Sequence, residues 1–303
     1  MKKLTIFLSI VLVFGFLLLL GGCQGGVVVP STPTPTPPPS TGSISGIVTE
    51  KGTGTPLSGV TITVDGTTTL TTGSDGSYTI TNLSPGFHTL KFEKVGYKTA
   101  TANVNVTAGT NTPKAVELEN TTKTEDFPIY GDSYIYQGGS PQGNNSTIGF
   151  GAIVAGADAR MLFRFPSLSQ DEKIISAKLK LYKLNTIPIS GSPVPYAVYP
   201  IKEDWNESAV TWTARTFGFP WFTAGGSYDD AFKISEGQFT LGGLLSWEEI
   251  DVTEAFNYWQ QAHDNYGIII VSKQSTSALL AFASSDHSNR AFRPYVEVKY
   301  YNP

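Results

Sequence analysis

From Ser43 onward the apolar residues of this chain come in short runs of period two, separated by glycine, proline, aspartate and asparagine. Such a pattern suits half-buried strands joined by tight turns, and it leaves little room for long helices. One stretch departs from it. In Asp251–Trp259 the residues Val252, Ala255, Phe256 and Trp259 fall at i, i+3, i+4 and i+7, a single apolar helical face. Asp251 followed three residues later by Glu254 has the spacing of a capping box, with Asp251 as N-cap. The expected fold class is therefore all-β with one short helix. Composition agrees: charged residues are 15% and aromatics 12%, with 31 glycines and 19 prolines. At 303 residues the chain exceeds one ordinary domain, so two folded units are expected.

The N-terminus has a different character. Lys2 and Lys3 precede an apolar run from Leu4 to Leu20, which ends in Leu20-Gly21-Gly22-Cys23. A basic start, an apolar middle and small residues at the end make a secretory signal. The run falls somewhat short of the roughly 20 residues that span a bilayer. It resembles a bacterial lipoprotein signal, whose lipobox matches Leu20, Gly21, Gly22 and Cys23. That resemblance implies removal of residues 1–22 and lipidation of Cys23, with membrane lipid as the first partner. The protein would then sit outside the cytoplasm, held at the cell surface. Loss of Lys2 and Lys3 would move the net charge from −4 to −6. No basic face suggests a nucleic-acid partner. Cys23 is the single cysteine, so disulfides, thiolate chemistry and cysteine metal sites are excluded from the folded part. Residues 23–42 form the linker. Proline fixes φ and lacks an N–H, so Pro30–Thr41 favours an extended polyproline II spacer about 35–40 Å long.

The segment 43–119 reads as a small sandwich. Ile44–Val48 forms a strand, and Val60, Ile62 and Val64 alternate until Asp65-Gly66 turns the chain. Asp75-Gly76, between two further β-runs, is a hairpin signal. Tyr78, Ile80, Phe87, Leu90, Phe92, Val104, Val106, Val116 and Leu118 continue the alternation. Gly46-Ile47-Val48, Pro56–Val60, Ser74–Tyr78, Leu83–Gly86 and Val95-Gly96-Tyr97 resemble the carboxypeptidase regulatory-like domain. The resemblance implies a seven-stranded, transthyretin-like sandwich without chemistry of its own. His88, with no cysteine or acidic cluster beside it, reads as structural, and so does Asp75 in its turn.

After a polar joint at Asn120–Thr124, residues 125–303 form the larger module. β-runs are expected at Tyr134–Tyr136, Met161–Phe165, Ile174–Tyr182, Val194–Tyr199, Tyr266–Val271, Leu279–Ala283 and Tyr295–Tyr300. Gly131–Ile135, Arg160–Phe165, Ile175–Tyr182, Trp205–Trp212, the Asp251–Trp259 segment, Tyr266–Ile268 and Arg293–Val298 together resemble the DNRLRE domain, related to carbohydrate-binding module family 96. That implies a jelly-roll sandwich of secreted and surface proteins, some of which bind polysaccharides.

Sugar binding needs exposed aromatic faces beside polar groups for the hydroxyls. Phe217–Tyr228 places Phe217, Phe219, Trp221, Phe222 and Tyr228 among glycines and a proline, with no period to bury them. Trp221 and Tyr228 are the expected stacking residues, with Asp229 and Asp230 as hydroxyl acceptors; the alternative is that the loop folds back and covers the sheet. Arg160 and Arg164 share one strand face, and with Lys178 and Lys180 they could form a cationic floor for an acidic polysaccharide such as a uronate polymer. The alternative there is a solvated face of local ion pairs. Asp132, Asp229 and Asp230 with loop carbonyls are candidates for a structural calcium, although no EF-hand spacing is present; no other cofactor or metal is expected.

Catalysis is not expected. Ser284-Ser285-Asp286-His287 sets triad residue types side by side, but triad members meet from separated segments, and no Gly-x-Ser-x-Gly elbow is present. Glu203, Asp204 and Glu207 are the acids available for glycoside hydrolysis, but Glu207 sits within Trp205-Asn206-Glu207…Trp212, where a structural hydrogen bond is the simpler role. The expected protein is thus a non-catalytic, polysaccharide-binding surface lipoprotein. The alternative is a scaffold or adhesion lipoprotein without a glycan ligand, working through an envelope protein partner.

Overall fold

A computed structural model describes residues 40–154, 157–188, 191–273 and 278–303. The expected signal segment, Cys23 and most of the proline-rich spacer lie outside the described residues.

The first module holds eight strands: β1 (Gly42–Glu50), β2 (Thr61–Val64), β3 (Thr68–Thr71), β4 (Ser77–Leu83), β5 (Gly86–Glu93), β6 (Ala100–Val106), β7 (Asn111–Pro113) and β8 (Val116–Leu118). They form two sheets, β4-β1 with β7 and β8 both on β1, and β3-β2-β5-β6. The strand count exceeds the expected seven because the last run breaks at Lys114 into two short strands, each parallel to β1. Alternation decides the core. Ile44, Val48, Ile62, Leu90, Phe92 and Leu118 are fully enclosed, while their strand neighbours face water. Asp65 and Gly66 both take positive φ in the β2–β3 hairpin, as a primed turn requires. Asp75-Gly76, by contrast, makes no hairpin. It carries the chain from β3 in one sheet to β4 in the other, and Asp75 Oδ1 accepts from Ser77 N and Oγ to shape that corner.

The second module comprises β9 (Lys123–Pro128), β10 (Gly131–Ile135), β11 (Thr147–Val154), β12 (Ala157–Arg164), β13 (Lys173–Ile187), β14 (Val194–Pro200), β15 (Ala214–Thr216), β16 (Phe219–Pro220), β17 (Ser235–Phe239), β18 (Ser246–Asp251), α1 (Thr253–Gln260), β19 (Ile268–Ser272), β20 (Leu279–Ala283) and β21 (Tyr295–Tyr301). One sheet runs β17-β14-β19-β12-β11-β20-β13-β21-β9, with β10 also on β12 and β18 also on β13. It curls so that its two halves face each other. Phe163, Val198 and Ile270 from one half pack with Phe150, Leu179, Phe282 and Val298 from the other. The result is an all-β sandwich.

The half formed by β14, β19 and β12 is buried on both faces. Ile268 and Ile270 enter the central core, while Ile269 and Val271 join a second cluster with Leu162, Trp205, Val210 and Trp221. This is why Ile268–Val271 reads as an unbroken apolar run rather than an alternating one. The cover of the outer face is the long connection from β14 to β17.

The helix forms where its period predicts, burying Ala255, Phe256 and Trp259. Its start differs from the capping-box expectation. Val252 is the N-cap and no side chain caps the turn. Asp251 ends β18 instead, where Oδ2 pairs with Lys178 and Oδ1 accepts from Thr253 N. Glu254 Oε1 accepts from Asn257, within the helix.

Candidate functional site

The covering connection is held to the sheet by two arginines on β12. Arg160 lies over the Trp212 ring at 4.5 Å and donates from Nη1 to Gly225 O. Arg164 lies over Trp205 at 5.1 Å, donates to Trp205 O, and pairs with Asp204 at 2.8 Å. Both guanidiniums therefore latch the connection down. The cationic floor is not formed and the alternative of local ion pairs holds, because Lys178 and Lys180 belong to β13 and pair across strands with Asp251 and Glu249. Gly225 and Gly226 permit the close approach. Both have positive φ, and a Cβ on Gly226 would stand 2.8 Å from Ile269 Cδ1.

The same packing divides the aromatic loop. Trp221 is only 5% exposed and donates from Nε1 to Thr211 O at 2.9 Å. The expectation that Trp221 stacks on a ligand is thereby overturned: its apolar area is spent on the second core, and its donor is satisfied within the fold. Its neighbour Phe222 is 93% exposed, and Phe217 and Phe219 are exposed as well. No sequence signal separated the two rings, because Pro220-Trp221-Phe222 is an unbroken apolar run and only the burial of Trp221 between two exposed neighbours distinguishes them.

Between this loop and the sheet lies a cleft of about 610 Å³. Arg160, Lys202, Glu203, Phe222, Tyr228 and Asp230 line it with the backbone turn Thr223–Ser227. Tyr228 is half-buried against Tyr199, ring centroids 4.9 Å apart. Glu203 Oε2 accepts from Phe222 N at 2.9 Å, which ties the rim in place. Of the six expected binding residues, the structure brings Arg160, Tyr228 and Asp230 into this cleft. Asp229 turns away and accepts from Tyr258 Oη at 3.4 Å. Arg164 lines a separate cleft of about 380 Å³ with Tyr130, Asp204, Glu207 and Arg215. The cleft thus combines an exposed aromatic ring, a second aromatic wall, two cations and two carboxylates. These are residue types able to stack on a sugar ring and bond to its hydroxyls.

A different polar cluster closes one end of the sandwich. Asp132 is 1% exposed; its Oδ2 accepts from Ser285 N at 2.6 Å, and its Oδ1 has no partner. Glu207 Oε1 accepts from Asp132 N at 2.8 Å, the structural role its motif suggested. Burial, reinforced by the charges of Glu207 and Asp286, pushes the Asp132 carboxyl up to about 7. Burial raises Glu207 too. The three aspartates considered for calcium do not assemble, since Asp132 lies in this cluster and Asp229 bonds to Tyr258. Among the described residues no group of three acids, histidines or cysteines is placed to hold a metal. The serine–histidine segment forms a turn instead of a catalytic pair. Ser284 Oγ donates to Asn145 O and accepts from Asp286 N, and His287 Nδ1 faces the backbone of Asn289.

Comparison with known proteins places the chain. The disaggregatase related repeat domain model matches residues 140–298, more than half of the sequence, and the carboxypeptidase regulatory-like domain model matches residues 43–119. The chain belongs to the disaggregatase related repeat domain family. No curated protein matches it. Among solved structures it is similar to the minor pilin GBS52 of Streptococcus agalactiae, at 22% identity over 27% of this chain and 46% of the pilin, with a TM-score of 0.24. It thus spans less than half of that pilin's length. The full-length major pilin SpaD of Corynebacterium diphtheriae gives 12% identity over 87% and 61% of the two chains, TM-score 0.28. A candidate carbohydrate-binding protein of Bacteroides uniformis gives 12% over 88% and 100%, TM-score 0.24. Likenesses of this size carry no argument about fold or ligand.

Proposed function

We propose that the protein is a surface lipoprotein, anchored through Cys23, whose second module binds polysaccharide without transforming it. The observation that carries this reading is the cleft beside β12, where Phe222 stands 93% exposed next to Tyr228, Arg160, Lys202, Glu203 and Asp230. The exposed phenyl ring stands beside charged groups in a cleft, and a sugar ring laid on it would be stabilised by stacking while the charged groups meet its hydroxyls. The resemblance to the DNRLRE domain and to carbohydrate-binding module family 96 supports the same ligand class. The lipobox residues Leu20-Gly21-Gly22-Cys23 support the anchor. Among the described residues no helix is long and apolar enough to cross a membrane. In this reading the diacylglycerol on Cys23 supplies the hold.

Affinity electrophoresis of the full chain, with Cys23 replaced by serine, tests the ligand class in gels containing neutral or acidic polysaccharides. Retardation by one polymer that is lost in Phe222→Ala is the expected result. Unchanged migration in every gel overturns it, and co-purification with an envelope protein would then favour a scaffold role.

A further inference from the structure

The second cleft, with Tyr130, Arg164, Asp204, Glu207 and Arg215 in its lining, is not a separate feature of the surface. Its lining adjoins that of the first at two places, along β12 and at Glu203 and Asp204. Arg160 and Arg164 project from the same face of β12, four residues apart, which sets the two clefts about 13 Å from each other along the strand. Glu203 lines the first cleft and Arg215 the second, and Glu203 Oε1 stands 3.5 Å from Arg215 Nε. That approach lies outside hydrogen-bond geometry, and the buried Nε–H has no hydrogen-bond partner.

Exposed aromatic rings stand near both clefts. Phe222 rims the first. Phe219, 58% exposed, lies beneath the Arg215 guanidinium at 5.6 Å, and Tyr130, 65% exposed, rims the second. Tyr130 is held at the backbone, its N–H donating to Arg164 O, so its ring is presented from the end of the sheet. A single monosaccharide ring is too short to reach both rims.

We propose, resting on the polysaccharide reading above, that the two clefts are consecutive subsites of one groove that takes an internal stretch of a linear polysaccharide. Tyr130 and Phe219 are the aromatic contacts of the second subsite, and the Arg215 side chain borders it. A chain end held in the first cleft alone would leave both rings without a task.

Calorimetric titration of the full chain carrying Cys23→Ser, with cello-, xylo-, manno- and galacturono-oligosaccharides of two to eight units, tests this. For the series that binds, affinity should climb at least tenfold between the shortest and longest members. Tyr130→Ala should remove that gain with length, while Phe222→Ala should weaken every length. Affinity independent of length, or a gain with length that survives Tyr130→Ala, overturns the two-subsite groove and leaves the single-cleft reading standing. Binding by none of these oligosaccharides or of their parent polymers overturns both.

Discussion

Asp132→Asn should change the pH dependence of folding in a calculable way. The carboxyl of Asp132 rises from 3.8 in the unfolded chain to about 7 in the native one, mainly through burial. A raised native pKa means that the folded state holds the proton more tightly. Its contribution to stability is complete below pH 3.8 and is lost as the pH rises through about 7. A shift of about 3 units at 1.36 kcal/mol each is about 4 kcal/mol, of which about 3 kcal/mol falls between pH 4.5 and pH 8. Asparagine has nearly the same shape, keeps an oxygen for Ser285 N–H, and does not ionise. Replacement can impose a constant penalty, because a buried amide donor then needs a partner. That penalty cancels when the difference between variant and wild type is followed across pH. Urea unfolding at pH 4.5 and pH 8 should show this difference moving by about 3 kcal/mol in favour of the variant at the higher pH. A difference constant to within about 1 kcal/mol would refute the assignment of a protonated native Asp132.

Three further outcomes follow from individual contacts. Trp221→Ala should cost about 3–5 kcal/mol, read by urea unfolding, because a buried indole and its bond to Thr211 O are lost together, whereas Phe222→Ala should leave the Tm unchanged. Lys183 is 1% exposed and pairs with Glu248, so Lys183→Met should destabilise by about 3–5 kcal/mol, and adding Glu248→Leu should recover most of that loss in the same assay. In the first module His88 faces acceptors at both ring nitrogens, Ser84 O at 2.8 Å and Asp65 Oδ2 at 2.6 Å. The Ser84 carbonyl first, and then the Asp65 carboxylate, raise its pKa above the ordinary histidine value. Its stabilisation should therefore be present below pH about 6.5 and fade as pH rises through the raised native value, a trend that melting curves from pH 5 to 9 should lose in His88→Gln.

How much of this was visible in the chain itself varies by level. Period-two runs at Val60–Val64, Ile174–Tyr182 and Tyr295–Tyr300, and the helical spacing of Val252, Ala255, Phe256 and Trp259, sufficed for the elements and the all-β class, because local alternation is what a half-buried strand or a surface helix requires. Which turn pairs its flanking strands was not visible. Asp65-Gly66 and Asp75-Gly76 look alike, yet only the first closes a hairpin, since pairing is chosen by distant strands. The same limit governs the site. A loop dense in aromatics marked the region of the cleft, along with Arg160, Tyr228 and Asp230. The fate of each ring depended on the outer face of a doubly buried sheet. Trp221 is drawn into that layer with Leu162 and Ile269, and Phe222, one residue on, is left in water. Arg160 and Arg164 share a face by simple alternation, but only tertiary structure set tryptophans and backbone carbonyls over them and made them latches. Period and turn chemistry act between neighbours along the chain and can be read from it. Burial of one ring rather than the next, and a carboxyl raised to about 7, depend on residues scores of positions away.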